Sequence, residues 1–269
     1  MSDKNSSDIL ILEKKEKGIL SLIMNNPQNR NALSESMMSM LNNAINEASI
    51  DQDTKVIIIS ACGPVFCAGH DLKEMTAARH SDDGGKDYFL KLFSTCSVLM
   101  QAIVNCPKPV IAEINGTATA AGCQLVASCD LAIASNSSKF ATPGVNLGLF
   151  CSTPMVALSR NVKNKHAMEM LLTGDMIDAV TAKEIGLINR NVIDEQIQIE
   201  TLNLAKKIVS KSSMTVAIGK EAFYRQSELD LSAAYNYASQ VMADNMLKED
   251  AKEGINAFIE KRVPQWKNK

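Results

Sequence analysis

Apolar positions fall first into two short runs, residues 9–12 and Ile19–Met24, with the charged stretch Lys14-Lys15-Glu16-Lys17-Gly18 between them. That pattern predicts two strands joined by a charged turn. From Ser34 the period changes. Met37, Met38, Leu41, Ala44, Ile45 and Ala48 recur at helical spacing, which predicts a helix over 34–50 with Ser34 as its N-cap. Residues 55–60 form a β-branched run and read as a buried strand. Residues 64–85 read as a loop, mobile at its end, Ser81-Asp82-Asp83-Gly84-Gly85. Phe89, Phe93, Cys96, Met100 and Ile103 predict a second long helix ending near Pro107. Next come a strand at 110–114, a turn of small residues, a helix through Gln124 to Ser128, and a strand at 131–134.

This strand–loop–helix rhythm argues for an α/β fold. Beyond about residue 200 it stops: 195–210, 214–225, 230–247 and 250–261 all read as helices with no strand between them. The chain therefore divides into an α/β core, residues 1–200, and a helical C-terminal region, residues 201–269. A length of 269 residues fits one large domain with such an appendage.

Composition adds limits. Apolar residues make up 46% and aromatics only 4%, so small aliphatics and the 14 Met must fill the core. The net charge of -2 draws the chain neither to nucleic acid nor to an anionic membrane, and no apolar run approaches the roughly 20 residues of a membrane span. The first eight residues have neither an apolar signal core nor an Arg-rich composition, which leads to the expectation of a cytoplasmic protein. Seven Cys without CxxC or zinc spacing fit a reducing compartment, buried thiols and no metal site.

Candidate chemistry lies in two runs of very small side chains, Ala68-Gly69 and Ala120-Ala121-Gly122, each just past a predicted strand. Small residues let a ligand approach the backbone. If Ala121-Gly122 opens a helix, its N–H groups are unpaired at the positive end of the dipole. Two N–H groups converging on one carbonyl oxygen form an oxyanion hole. Tight helix–strand packing is the plain alternative for either run alone.

Three blocks carry a resemblance: residues 64–74 (Pro-Val-Phe-Cys-Ala-Gly-His-Asp-Leu-Lys-Glu), residues 115–130 around Ala-Ala-Gly-Cys-Gln-Leu-Val-Ala-Ser-Cys-Asp, and residues 140–148 (Phe-Ala-Thr-Pro-Gly-Val-Asn-Leu-Gly). Together they resemble the crotonase superfamily, the enoyl-CoA hydratases and isomerases. The resemblance implies a ββα spiral core, a helical C-terminal region used in trimerisation, and a homotrimer or dimer of trimers. It implies that backbone N–H groups at Ala68 and Ala121 hold the thioester carbonyl of an acyl-CoA. It implies that Arg30, His70 and Lys73 lie at the CoA rim, with Phe258 and Lys261 reaching the adenosine end, often from a neighbouring subunit. Coenzyme A enters as part of the substrate, with no separate cofactor.

The chain departs from that pattern at two positions. Typical hydratases carry Glu where Gln124 and Gly144 stand. Hydration needs one group to deprotonate water and another to protonate the α-carbon, and a primary amide does neither at neutral pH. Gly144 offers no side chain, only space. The expectation is an enzyme acting through a thioester enolate, with simple hydration weak or absent; a non-catalytic acyl-CoA binder is the alternative. RNA binding is disfavoured by the near-neutral charge. Other candidates are His70 as a substitute acid/base, Cys151 or Ser152 as a nucleophile, and Glu113. Asp71 and Asp130 fit structural roles, and His80 and His166 have no partner pattern.

Overall fold

The computed structural model describes residues 11–269, so residues 9 and 10 of the first predicted strand lie outside the described residues. Strands β1 (Ile11–Glu16) and β2 (Ile19–Met24) form an antiparallel hairpin. Lys14, Lys15 and Glu16, expected in the turn, continue the strand. The turn is only Lys17-Gly18, at φ 47° and 83°. Two consecutive positive φ values suit a two-residue hairpin, and β1 tolerates its charges because it is an exposed sheet edge.

Helix α1 (Glu35–Ile50) starts where expected. Ser34 accepts a hydrogen bond from Met37 N, and the buried face comprises the six residues its spacing selects. After it come β3 (Val56–Ala61), β4 (Val65–Cys67), α2 (Leu72–Ala78) and α3 (Lys86–Asn105). Residues 64–85 are therefore more than a loop. A three-residue strand leaves too few positions for alternation to show, and α2 begins at Asp71, whose carboxylate accepts from Lys73 N and Glu74 N. The 81–85 stretch is a turn closed by Asp83, which accepts from Ser81 Oγ, Gly85 N and Asp87 N. At 20 residues α3 is long and apolar enough to cross a membrane by length and composition, contrary to the expectation of no such run. Its apolar face, Leu92, Cys96, Leu99, Met100 and Ile103, packs into the core instead.

Strands β5 (Val110–Ile114), β6 (Thr117–Thr119), β7 (Leu131–Ser135) and β8 (Lys139–Ala141) reveal a repeat, with α4 (Ala121–Ser128) between the pairs. Each ββ unit sends its first strand to one sheet and its second to another. β3, β5 and β7 are parallel neighbours in a six-stranded sheet of order β1-β2-β3-β5-β7-β10, while β4, β6 and β8 are parallel neighbours in a four-stranded sheet with β9. This is a ββα spiral. Helices α5 (Pro154–Asn161) and α6 (Asn164–Thr173) precede β9 (Ile177–Asp178), α7 (Ala179–Glu184) follows it, and β10 (Arg190–Val192) completes the larger sheet.

The predicted C-terminal helices are present: α8 (Ile197–Val209), α9 (Ser213–Gln226), α10 (Leu231–Met246) and α11 (Glu249–Ile259). Residue 200 falls inside α8, whose Ala205 packs with Val56, Ile58 and Ile111 on the outer face of the large sheet. A buried ion pair anchors α9. Lys220 Nζ lies 2.7 Å from Asp130 Oδ2 and donates to the carbonyls of Ile103 and Lys108, while Tyr224 OH donates to Asp130 Oδ1.

Candidate active site

The site is assembled where the N-terminal segment meets the second sheet. Asn31, fully buried, clamps residues 26–31 to the β3–β4 connection. Its Oδ1 accepts from Asn26 N, and its Nδ2 donates to Cys62 O and Val65 O at 2.9 and 2.7 Å. That fixes the chain leaving β4. Leu33 N then donates to Gly69 O at 2.7 Å.

This bond sets the direction of one amide. In a trans peptide the carbonyl and the next N–H point opposite ways, so the His70 N–H faces away from Leu33. Across from it is the start of α4. A Cβ on Gly69 would sit 3.0 Å from Ala120 Cβ and 3.4 Å from Ala121 N, so only glycine lets the two segments touch. Gly69 also has φ +96°, which favours glycine. In α4, Ala120 O accepts from Gln124 N, so by the same argument the Ala121 N–H points out of the helix start. Ala120 reaches this geometry at φ 49°, a strained backbone for alanine. Gly122 permits the approach from behind, since its Cβ would lie 2.2 Å from Cys67 O. Two outward N–H groups, His70 and Ala121, thus belong to abutting segments.

The geometry corrects the reading of Ala68. Its N–H donates to Arg30 O at 3.1 Å, and its carbonyl accepts from Thr119 Oγ1 at 3.1 Å. Both groups are committed to holding β4 in place, so Ala68 cannot also donate to a ligand. Residue identity located the segment; the turn at Gly69 moves the free N–H two residues on. The His70 side chain is corrected as well. Its ring packs edge-on against Phe93 with centroids 5.6 Å apart, Nδ1 lies 3.3 Å from Leu33 O, and Nε2 is enclosed without a partner. Burial pushes its pKa down, keeping it neutral. The ring is neither an accessible base nor a cation at a CoA rim.

Gln124 projects from the first turn of α4, 5% exposed. Its Oε1 accepts from Cys96 Sγ on α3 at 3.9 Å. Gly144 lies in a 3-10 turn, Pro143–Leu147. Its side is filled, not open: a Cβ there would lie 2.8 Å from Cys151 Sγ and 2.8 Å from Leu149 O. Gly144 N also donates to Cys151 Sγ, and Leu149 N to Gly144 O. The segment 149–151 has closed over the position, correcting the expectation of space.

The remaining candidates separate. Arg30 and Lys73 are exposed, near in sequence to the segments that meet at Gly69 and Ala120. Phe258 on α11 is 86% exposed and Lys261 follows that helix; among the described residues no hydrogen bond or ion pair joins either to Arg30, His70 or Lys73. Cys151 is buried and its thiol pushed up by burial, which disfavours a nucleophile. Ser152 Oγ donates to Phe150 O. Glu113 faces α8, on the far side of the sheet from α4; burial raises its pKa, opposed by Thr201. His80 and His166 are exposed. Sequence reasoning missed Cys96 as the partner of Gln124; its helical spacing marked it only as core.

A ββα spiral in which the Gly69 turn abuts the start of an inner helix marks a crotonase-type protein. The chain belongs to the enoyl-CoA hydratase/isomerase family: residues 14–269 match the model of that family. It is 53% identical over 253 residues to mitochondrial enoyl-CoA hydratase domain-containing protein 3 of Mus musculus, covering 94% of this chain and 83% of that one. The crystal structure of human enoyl-CoA hydratase domain-containing protein 3 superimposes with a TM-score of 0.91 at 50% identity, covering 96% of this chain and 100% of the other. An enoyl-CoA hydratase from Mycobacterium smegmatis superimposes with a TM-score of 0.92 at 48% identity, covering 96% and 99%. The cytoplasmic expectation is overturned here. The relatives from Mus musculus, Rattus norvegicus, Homo sapiens, Xenopus laevis and Danio rerio, at 47–53% identity, are all named mitochondrial. Composition of eight residues was too little to carry an address.

Proposed function

We propose that this chain is an acyl-CoA enzyme that binds the thioester carbonyl between the N–H groups of His70 and Ala121 and stabilises the enolate formed there. The observation that carries this is a pair of unpartnered N–H groups on abutting segments, directed outward by Leu33 N–Gly69 O and Gln124 N–Ala120 O. Each preorganised donor is worth about 2.7–4 kcal/mol to a developing oxyanion. Arg30 and Lys73 take the phosphates of CoA. Phe258 and Lys261 serve the adenosine end from a neighbouring copy in a homotrimer or a dimer of trimers. The location that fits the relatives is mitochondrial.

Simple hydration is weak or absent. Gln124 cannot exchange a proton at neutral pH, and the 149–151 segment fills the place beside Gly144. Each missing acid/base group costs about 10²–10⁴-fold. Reactions that need mainly enolate stabilisation, such as decarboxylation of an acyl-CoA, survive this loss. The same two features favour a second reading, a non-catalytic acyl-CoA binder.

The test follows loss of enoyl-thioester absorbance with crotonyl-CoA, beside a Glu-bearing hydratase, with CoA-thioester binding measured in the same preparation. Binding with turnover at least about 10⁴-fold below the reference is expected. Fast turnover refutes the predicted loss of hydration. In a folded Ala121→Pro variant, which lacks that N–H, unchanged binding and activity refute the cradle.

A further inference from the structure

At Gln124 the site holds a hydrogen-bond donor whose direction is set from behind. The side chain is 95% buried by its 5% exposure, yet its Nε2 makes no hydrogen bond among the described residues and is not among the enclosed, unpartnered atoms. It is therefore not fully enclosed. The other end of the amide is engaged: Cys96 Sγ lies 3.9 Å from Oε1. Burial pushes the Cys96 thiol up to about 12, so it stays an S–H whose hydrogen is directed at Oε1. With Oε1 on the thiol, the NH₂ is the end of the amide left without a protein partner among the described residues.

The unpartnered NH₂ and the Ala121 N–H belong to the same helix. Ala121 and Gln124 are three residues apart on α4, hence neighbours on one helix face. Side chains on a helix lean toward its N-terminus, which brings the amide back over the turn where the Ala121 N–H emerges. The site thus presents three donors to an acyl group, two from the backbone and one from Gln124.

We propose that Gln124, oriented by Cys96, selects acyl-CoA thioesters that carry an acceptor oxygen on the third acyl carbon, a 3-oxo or a 3-carboxylate group. This rests on the cradle reading above. The first acyl oxygen sits between the two backbone N–H groups and the second is met by the Gln124 NH₂. Cys96 is a positioning residue and does not touch the ligand.

The experiment titrates the full-length protein with butyryl-CoA, acetoacetyl-CoA and malonyl-CoA, each thioester confirmed intact afterwards. One neutral hydrogen bond predicts about tenfold tighter binding of acetoacetyl-CoA than of butyryl-CoA, and a charged acceptor about ten- to a hundredfold for malonyl-CoA. The two arms separate the ketone from the carboxylate. Gln124→Leu is expected to erase the preference, and the isosteric Gln124→Glu to reverse it for malonyl-CoA, with folding checked by thermal melting. Cys96→Ala is expected to weaken the preference and Cys96→Ser, which restores a donor, to rescue it; a merely structural role would not follow the donor. Binding of all three thioesters with equal affinity overturns the selectivity and leaves the cradle standing. Failure of all three to bind overturns both.

Discussion

Position 144 shows how an absent side chain can be a filled place. Cys151 Sγ and Leu149 O stand where a Cβ would be, and Gly144 N and O are bonded into the same segment. Gly144→Glu is therefore expected not to restore hydration of crotonyl-CoA; instead it destabilises the protein by roughly 1–3 kcal/mol, the usual cost of overpacking. Denaturant melts and the absorbance assay on one sample check both halves. At this scale the sequence located segments better than atoms. The small-residue runs marked the two abutting segments, but choosing the His70 N–H over that of Ala68 required knowing which way the peptide after Gly69 turns. Side-chain identity does not encode that direction; the bond to Leu33 does.

Single elements were legible in proportion to their length. The six buried positions of α1 follow from period alone, as does the start at Ser34. Strands β4, β6 and β8, three residues each, carry too little alternation to be read, and with them the second sheet was lost. Strand β5 offers a test of what an element tolerates. Its Ile111 packs toward α8, and Glu113, two residues on, shares that face. Burial raises the Glu113 pKa above the ordinary 4.5, outweighing the opposing effect of Thr201. The sign follows: a raised carboxyl pKa favours the folded state while the group is protonated, and that contribution is lost as pH climbs from 4.5 through the folded value. Glu113→Gln is expected to raise the unfolding midpoint at pH 7. The gain shrinks toward pH 4, measured by thermal melts across that range.

The whole molecule exposes apolar surface where its C-terminal helices end. Leu231, Tyr235, Met242 and Met246 form one stripe along α10, and Leu247 and Phe258 are 84% and 86% exposed. Such a surface fits association with further copies of the chain. Light scattering is expected to give three or six copies per particle, and a Tyr235→Glu, Met242→Glu variant is expected to lose at least about half of that mass while keeping its helical content. The helices were legible in the sequence; which faces stay open was not, because an amphipathic pattern does not say whether its apolar side meets its own core or another chain.

The amide between Gly69 and His70 faces two ways. Its oxygen holds Leu33, the residue just before the cap of α1, while its N–H is turned toward α4. Because the unit is planar and conjugated, pulling charge toward the N–H makes the oxygen a better acceptor. An acceptor bound at the N–H would thus tighten the grip at the oxygen. The chain's first long helix is wired through one peptide plane to the place where an acyl oxygen would rest under the proposed function, so hydrogen exchange around Leu33 and the start of α1 is expected to slow when an acyl-CoA binds.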